Sequence, residues 1–567
     1  MRRRVVAVGL LLGAFLAGAL VLAASASAHA SVVSSDPLDG SRLKSAPQTV
    51  TISFDEQVRL SLGYLHVTNQ SGHRVDTGAA FHPGGDGTKI ASTLRLGLGD
   101  GTYTESYRVI SADSHPVAGT VRFVVGTGAL SIATGTSGTP PTVDASTGVA
   151  FDVARWVSYA GFALLGGLWL LLTVWPQGRD ERRARALVWA GWSGAALGAL
   201  AELLLQGPDA AGSGPSGVLR WSLLDATLHT SYGRFHCARL VLLGVLALLL
   251  GSAVQGAERR RARWEDAAWP LLVGVAFTFS ATGHPATTSP VWLSEAADVL
   301  HLCAMAAWVG GLALLLGALL PRREPAELRS VLPVFSRVAF VAVATIAVTG
   351  TYAAWRGIGS LRAIFTTEYG LLVSLKVLLF LGLLALGNVS RQAVQRRLLR
   401  LPVAYAMTDT VLAEPPAASV TLHTERMRRS VLVEVVLAAL VLAATAVLVD
   451  KPRGREALAA RARQPVMATA NLQAGRTVTV GVSPGEHGDV ALTVALSPGS
   501  EPTHVAATAT QPVAQLGPIP ITLTPDGADL YTASGVPLPV AGSWVLTLVV
   551  TYSRFDAVST DVTFRLS

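Results

Sequence analysis

The sequence has few charged residues for its length. Asp, Glu, Lys and Arg make up only 14% of its 567 residues, whereas 50% are hydrophobic. Such low charge over this length favours a membrane protein of several domains over a large soluble one. The chain also has only two cysteines, Cys237 and Cys303, which excludes a disulfide-rich scaffold.

The net charge of +8 does not indicate a nucleic-acid partner. The arginines cluster between apolar segments, which is typical of membrane topology rather than of a DNA-binding face. The sequence also lacks a P-loop and a D-K-T-G phosphorylation motif, so ATP-driven pumping is not expected.

A secretory signal peptide is predicted over residues 1–28. Arg2-Arg3-Arg4 precede an apolar run from Val5 to Ala23, and small residues follow. The A-x-A rule allows cleavage after Ala28 or two residues to either side. Cleavage after Ala28 makes His29 the first residue of the mature chain, and this is the cut that we predict.

Two β-rich regions flank the apolar middle of the chain. Residues 29–126 contain short alternating runs between Gly, Asp and Pro turns, which predicts an all-β Greek-key or Ig-like sandwich. Residues 127–150 are rich in Gly, Ser, Thr and Pro and are predicted to be a linker. Residues 465–567 alternate in the same way and predict a second all-β sandwich.

Residues 151–450 are predicted to form an eight-helix transmembrane bundle. The eight apolar segments lie near 153–175, 186–206, 238–255, 268–283, 296–320, 334–356, 369–388 and 431–449. The loops after the odd-numbered segments carry most of the arginines and are therefore predicted to face the cytoplasm. An even number of spans then places both β-rich regions outside, although the basic stretch after the last segment breaks the rule.

An internal repeat is visible within the apolar region. Residues 223–243 resemble 360–380, which aligns Tyr232-Gly233 with Tyr369-Gly370 and Arg239 with Lys376. "LLGGLWLLL" in segment 1 likewise resembles "WVGGLALLL" in segment 5. The pattern predicts a 4+4 parallel repeat, with glycines that allow close helix approach. The alternative is chance similarity between leucine-rich strings.

The stretch "SADSHPVAG" contains a candidate metal-binding pair, Asp113 and His115. Residues two apart on a strand face the same side, so a carboxylate and an imidazole can reach one ion. The alternative is an Asx turn before Pro116 with an exposed histidine. An N-terminal His29 adds an imidazole and an α-amine, and the resulting N,N,N,O set suits Cu(II) better than Zn(II).

Residues 29–126 resemble the CopC family of extracytoplasmic copper-binding proteins. The resemblance rests on "HASVVSSDPLDGSRLKSAPQTVTISFDEQV" and "YRVISADSHPVAGTVRFVVG". It implies that His29, Asp113 and His115 bind Cu(II). Some family members have a second, Met-rich Cu(I) site, but residues 29–126 contain no methionine, so we expect a Cu(II) site alone.

Residues 151–450 resemble the CopD copper-resistance family, which is often fused to CopC. The resemblance rests on "ADVLHLCAMAAWVGGL", "FSRVAFVAVATIAVTGTYAAW", "TEYGLLVSLKVLLF" and "RRSVLVEVVLAALVLAATAVL". Residues 465–567 resemble the YtkA-like β-sandwich. The whole chain thus resembles a CopC–CopD fusion of the bacterial plasma membrane, with both terminal domains extracytoplasmic.

Ionisable and sulfur-bearing residues within the spans mark a candidate copper path, because such groups are costly there. On segment 5, Asp298, His301 and Met305 fall at i, i+3 and i+7, whereas Cys303 faces another direction. The alternative is that Asp298 and His301 only lock two helices together. The predicted path comprises His236, Cys237, His284, Asp298, His301, Cys303 and Met305, and the predicted structural or gating charges are Arg239, Lys376 and Glu434.

These observations predict a copper carrier rather than an enzyme. Its partners would be the copper ion and the lipid bilayer, with an extracytoplasmic copper chaperone as a further candidate. We expect capture of Cu(II) outside the cell and movement of copper inward. Two alternatives are a membrane-anchored copper-sequestering protein and a haem or copper redox protein, which an optical spectrum would distinguish.

Overall fold

A computed structural model describes most of the chain from residue 30 onward. The residues outside it are 1–29, 31, 38, 40, 44, 112–115, 127–143, 256–257, 284, 286–287, 289, 394–416, 450, 464–465, 498–499, 501 and 526–528. Two compact units divide the described residues. The helical unit comprises the described residues of Ile110–Pro116 and Pro141–Gly454. The other unit comprises those of Ala30–Val109, Val117–Pro140 and Arg455–Ser567.

The N-terminal region forms a β-sandwich. Its strands are β1 Val32–Asp36, β2 Ser41–Leu43, β3 Thr49–Phe54, β4 Arg59–Asn69, β5 Asp76–Phe81, β6 Lys89–Leu94, β7 Gly101–Ile110 and β8 Pro116–Val125. The two sheets have the orders β1-β3-β6-β5 and β2-β8-β7-β4. Every second residue of β3 is buried, as expected of a strand with one face on a core. Ile52, Leu65 and Phe123 lie in that core, and the predicted N-terminal sandwich is confirmed.

The C-terminal region is also all-β. Its strands are β9 Val466–Asn471, β10 Thr477–Ser483, β11 Gly488–Leu496, β12 His504–Gln511, β13 Leu516–Ile521, β14 Thr524–Pro525, β15 Leu530–Leu538, β16 Gly542–Ser553 and β17 Asp556–Leu566. They form sheets of order β14-β15-β11-β10-β9 and β13-β12-β16-β17. Trp544 is fully buried in the core between them. The predicted second all-β domain is confirmed, and its YtkA-like character stays a prediction.

The helical unit supplies the apolar helices. They are α1 Ala145–Gly166, α2 Leu168–Thr173, α3 Arg182–Ala210, α4 Trp221–Leu228, α5 Ser231–Gln255, α6 Glu258–Ser280, α7 Val291–Leu314, α8 Leu320–Arg322, α9 Pro325–Ile358, α10 Leu361–Thr366, α11 Glu368–Ala393 and α12 Ala417–Leu448. A π-helical turn, Leu315–Leu319, joins α7 to α8, and a short α13, Gly454–Arg463, follows α12.

Seven stretches in the described part of the chain are long and apolar enough to cross a membrane. They are Ala145–Thr173, Arg182–Ala210, Ser231–Gly251, Val291–Arg322, Pro325–Ile358, Glu368–Asn388 and Arg428–Leu448. The eighth apolar helix, Ala268–Ser280 within α6, is shorter. Its predicted extension to residue 283 is wrong, because the helix ends at Ser280, shortly before Gly283 and Pro285.

Helices α1 and α7 cross at their paired glycines. A Cβ atom on Gly167 would lie 2.7 Å from the carbonyl oxygen of Gly310, and one on Gly310 would lie 2.3 Å from the amide nitrogen of Gly167. The contact is therefore reciprocal between segments 1 and 5. When two equivalent helices are related by a two-fold axis, each contacts the other through the same residues, as these two glycines do.

The two Tyr-Gly stretches share a local structure as well. Thr230 and Thr367 each follow a short helix, and their hydroxyls accept hydrogen bonds from the amides of Gly233 and Gly370 at 3.1 and 3.0 Å. A Cβ atom on either glycine would lie 2.2 Å from a backbone carbonyl oxygen of the preceding short helix region. Both positions thus require glycine for the same reason, which supports the predicted 4+4 repeat.

The basic residues after α12 contact the loops that the arginine distribution places outside. Lys451 Nζ lies 2.8 Å from Glu368 Oε2 at the start of α11. Arg453 is buried and donates to the Thr288 hydroxyl in the connection between α6 and α7. These cations therefore have local partners at one end of the helical unit, which accounts for their departure from the charge rule.

Candidate functional site

The predicted Cu(II) ligands His29, Asp113 and His115 lie outside the described residues, as does His284 of the predicted path. The strands on either side of the Asp113–His115 pair are described. β7 ends at Ile110, β8 begins at Pro116, and the two strands are neighbours in one sheet. The pair therefore belongs to the connection between two adjacent strands, and its role as a metal site stays a prediction.

A polar cavity lies at one end of the helical unit. The cavity opens to solvent, and its volume, with the open mouth included, is about 480 Å³. Glu202, Gln206 and Asp209, at i, i+4 and i+7, line it from one face of α3. The other lining residues are Pro116, Phe151, Arg155, Tyr159, Tyr232, Arg239, Phe279, Thr282, Gly283 and Val449.

Three buried ionisable side chains meet beside the cavity, and two of them, Glu202 and Arg239, line it. Glu202 is 4% exposed, His236 is 0% exposed and Arg239 is 1% exposed. The Nε2 atom of His236 lies 3.3 Å from Glu202 Oε2 and 3.3 Å from Arg239 Nη1. Arg239 Nη1 lies 3.9 Å from the same Glu202 oxygen. Helices α3 and α5 thus bring a carboxylate, an imidazole and a guanidinium into one cluster.

Arg239 also contacts the neighbouring helix α6. Its Nε donates to the Thr278 hydroxyl at 3.0 Å, and its Nη2 donates to the Thr278 carbonyl at 3.1 Å. The guanidinium also lies 3.6 Å from the centroid of the Phe279 ring. Arg239 is thus paired with a carboxylate, and its structural or gating role stays a prediction.

Glu202 was missed in reading the sequence. An acidic residue within the apolar run of α3 was the available signal, because such groups are costly inside a span. Its partner His236 is 34 residues away in the sequence. Cys237, the other predicted path residue here, is half-buried next to His236.

Asp298 and His301 lie one turn apart on α7 but contact different helices. Asp298 accepts a hydrogen bond from Ser280 and interacts electrostatically with Lys376 of α11. His301 Nδ1 lies 2.8 Å from the hydroxyl of Thr349 on α9. That hydroxyl donates to the Thr345 carbonyl at 2.7 Å, so it accepts from His301 and leaves His301 Nε2 as an acceptor.

The remaining predicted path residues lie apart from these polar groups. Cys303 and Met305 are half-buried and pack against the apolar core of the helices. Glu434, one of the predicted gating charges, is buried on α12. Among the described residues, no three side chains of His, Cys, Asp or Glu lie close enough to hold a metal ion. The described residues of the predicted path therefore do not form one continuous metal-binding cluster.

The N-terminal sandwich contains a different buried acid, Glu105 on β7. It is 0% exposed, and its two carboxyl oxygens have no hydrogen-bond partner in the described part of the chain. Burial, together with the nearby charges of Asp39 and Asp36, raises the pKa of Glu105 to about 9. The side chain is therefore a neutral carboxylic acid at physiological pH.

Comparison with family models identifies two domains in the chain. The CopC domain model matches residues 32–126, and the model of copper resistance protein D matches residues 329–448. The resemblance to a CopC–CopD fusion is thereby confirmed.

Known relatives agree with both assignments. Copper resistance protein C of Xanthomonas campestris pv. juglandis is 37% identical over 112 residues, which are 19% of this chain and 87% of that protein. Copper transport protein CutJ of Bacillus subtilis is 28% identical over 369 residues, which are 64% of this chain and 67% of that protein. The chain belongs to the copper resistance protein C family through its N-terminal domain, and it is a copper-handling protein.

Two solved structures align with a short part of the chain. CopC from Methylosinus trichosporium OB3b is 23% identical with a TM-score of 0.16, and covers 17% of this chain and 93% of its own. PcoC from Escherichia coli is 29% identical with a TM-score of 0.15, and covers 17% of this chain and 98% of its own.

Proposed function

We propose that this CopC- and CopD-containing protein captures Cu(II) outside the cell and moves copper inward across the plasma membrane. The observation that carries the proposal is the presence, in one polypeptide, of a CopC domain and of apolar helices with buried ionisable side chains. We propose a carrier and no catalysed reaction.

Capture is assigned to His29, Asp113 and His115, with the α-amine of His29 freed by cleavage after Ala28. Nitrogen-rich ligands without a thioether favour the divalent ion. A capture domain covalently linked to the helices raises the local copper concentration at their outer end. An extracytoplasmic chaperone would deliver copper to this domain.

Movement through the helices is assigned to a path that includes Asp298 and His301. A cation that enters hydrocarbon needs ligands that replace its water at each depth. His301 suits this role because its Nδ1 is engaged by Thr349, which leaves Nε2 available as a ligand.

The inward direction follows from the proposed topology. The arginine-rich loops are proposed to lie inside, and eight spans, counting the shorter apolar helix of α6, would leave the capture domain outside. If copper were exported, it would reach the capture domain only after crossing the membrane. If copper is imported, the capture domain binds it first and supplies it to the helices.

The test is the copper content of cells that express wild type or a variant at equal level. We expect cells with the wild-type protein to accumulate more copper than cells without it, and His29→Ala and His301→Ala to remove most of the difference. His229→Ala is the matched control, because that side chain is exposed and bonds only its own helix.

Each other outcome contradicts a part of the proposal. Lower copper in wild-type cells than in cells without the protein would reverse the direction. Wild-type accumulation by His301→Ala would remove His301 from the path. If His29→Ala alone reduced cell-associated copper, and that copper stayed outside the membrane, the protein would be a sequestering anchor.

A further inference from the structure

We propose that Glu202 and His236 form a Cu(II)-binding site beside the polar cavity, which Glu202 lines, and that the guanidinium of Arg239 takes the place of the ion when copper is absent. This inference rests on the proposed function, because it names the first position that copper would reach within the helices.

The hydrogen bonding of His236 leaves one ring nitrogen, Nε2, without a proton and therefore able to bind a metal. Its Nδ1 lies 3.0 Å from the Tyr232 carbonyl oxygen, which can only accept, so Nδ1 carries the proton and donates. In the neutral ring Nε2 is then the acceptor. Metal-bound histidines are usually oriented by such an N–H bond to a backbone carbonyl.

The second ligand faces that nitrogen directly. Glu202 Oε2 lies 3.3 Å from His236 Nε2, so a lone pair and a carboxylate oxygen point at each other. Two acceptors at this distance repel unless positive charge lies next to both. Arg239 Nη1, at 3.3 Å from the nitrogen and 3.9 Å from the oxygen, supplies that charge.

The carboxylate of Glu202 is also incompletely satisfied. Its Oε1 atom is buried and has no hydrogen-bond partner among the described residues. Leaving a buried charged oxygen without a partner is unfavourable, so the oxygen favours an additional cation or donor. Gln206 and Asp209, which lie on the same face of α3, also line the cavity.

Arg239 can lose its contacts with Glu202 and His236 and still keep other partners. Its Nε and Nη2 donate to Thr278, and the guanidinium stacks on Phe279. These contacts involve neither Glu202 nor His236. Copper would therefore displace only the Nη1 contacts, while Arg239 keeps partners in the interior.

Two protein ligands form an open site, which suits an ion in transit. A conducting or carrying site must bind strongly enough to admit the ion and weakly enough to release it. A nitrogen and a carboxylate oxygen match Cu(II) as the CopC-like domain is proposed to supply it, so the transfer is a ligand exchange without a redox step.

The experiment uses the full-length chain, without a histidine tag, in lipid nanodiscs. A His29→Ala/His115→Ala background removes the proposed capture site, and Cu(II) binding is then measured by equilibrium dialysis and electron paramagnetic resonance. We expect one Cu(II) per chain to remain, with hyperfine coupling to one imidazole nitrogen that is lost in His236→Ala.

Two further variants in that background have opposite expected effects. Glu202→Gln should weaken Cu(II) binding at least about tenfold, as loss of a ligand does. Arg239→Gln should tighten it about tenfold, because the competing cation is gone. Glu295→Gln, a half-buried glutamate of α7 away from the cavity lining, is the control and should leave binding unchanged.

A cluster with only a structural role would not bind Cu(II) more tightly after Arg239→Gln. Absence of Cu(II) in the background variant, or equal affinity in Glu202→Gln and Arg239→Gln, would overturn the inference. Neither result would affect copper accumulation through His29 and His301, which tests the proposed function separately. Conversely, binding at Glu202 without any accumulation by wild-type cells would refute transport and leave this site in place.

Discussion

The helical unit and the N-terminal sandwich each bury a glutamate, and they stabilise it in opposite ways. Glu202 lies beside His236 and Arg239, so its charge is balanced by a neighbouring cation. Glu105 has no hydrogen-bond partner among the described residues and is neutral, because burial raises its pKa to about 9. Equal burial thus leads to an ion pair in one region and to a protonated acid in the other.

The difference lies in what surrounds each side chain. In the helical unit, two helices and the Thr278 anchor hold a guanidinium against the carboxylate. In the sandwich, β7 contributes apolar and tyrosine side chains to the core, and the charges that act on Glu105, those of Asp39 and Asp36, are of the same sign. The same neutralising substitution, Glu to Gln, should therefore destabilise the first region and stabilise the second.

The largest effect is expected for Glu202→Gln. Removing this charge leaves Arg239 buried without its carboxylate, which typically costs about 4 kcal/mol. The thermal unfolding midpoint of the full chain in detergent, without copper, measures the effect. Glu295→Gln is the control, and an unchanged midpoint for Glu202→Gln would show that Arg239 does not depend on the pair.

Glu105→Gln should stabilise the CopC domain at pH 8 by about 3 kcal/mol, since the unfolded chain would no longer gain from ionising this residue. The isolated domain is suitable because relatives such as copper resistance protein C consist almost wholly of it, with 87% of that protein matched. Differential scanning calorimetry should show a midpoint roughly 12–24 °C higher. A lower midpoint would mean that the carboxyl group has a stabilising partner.

The pH dependence should differ between the wild-type domain and the Glu105→Gln variant. Between pH 5 and pH 8 the unfolded state has lost this proton while the folded state keeps it, because the folded pKa is about 9. Wild-type stability should therefore be highest at the acidic end and fall by about 1 kcal/mol per pH unit. The depressed pKa of Asp86, about 2, acts only below this window.

Urea unfolding at each pH measures this slope. The variant should show a flatter dependence across the same range. Parallel slopes in the two proteins would contradict the assignment of the proton to Glu105.

The smallest effect is expected for Thr349→Val, which removes the hydroxyl that accepts a hydrogen bond from His301 Nδ1. Loss of one hydrogen bond should cost about 1 kcal/mol and slow copper accumulation, because the imidazole loses its fixed orientation. Thr351→Val is the matched control, since its exposed hydroxyl bonds only Ala347 of its own helix. Equal copper accumulation by the two variants would show that Thr349 does not position His301.

The sequence was sufficient for the elements and for their order along the chain. Alternation in the terminal regions and long apolar runs in the middle are local patterns, since burial on a strand or a spanning helix repeats within a few residues. The equivalence of Tyr232-Gly233 and Tyr369-Gly370 could also be recognised from the sequence. In both places a glycine is required by a backbone oxygen 2.2 Å from its missing Cβ.

Only the tertiary structure decided which charged groups meet. His236 and Arg239 were visible as candidates, but their carboxylate, Glu202, comes from another helix 34 residues before His236. Asp298 and His301 share a helix face by their spacing, yet one bonds Ser280 and the other Thr349. Helix periodicity fixes the direction of a side chain on its own helix. Which residue it faces depends on how two helices cross, and that is set by packing across the whole unit.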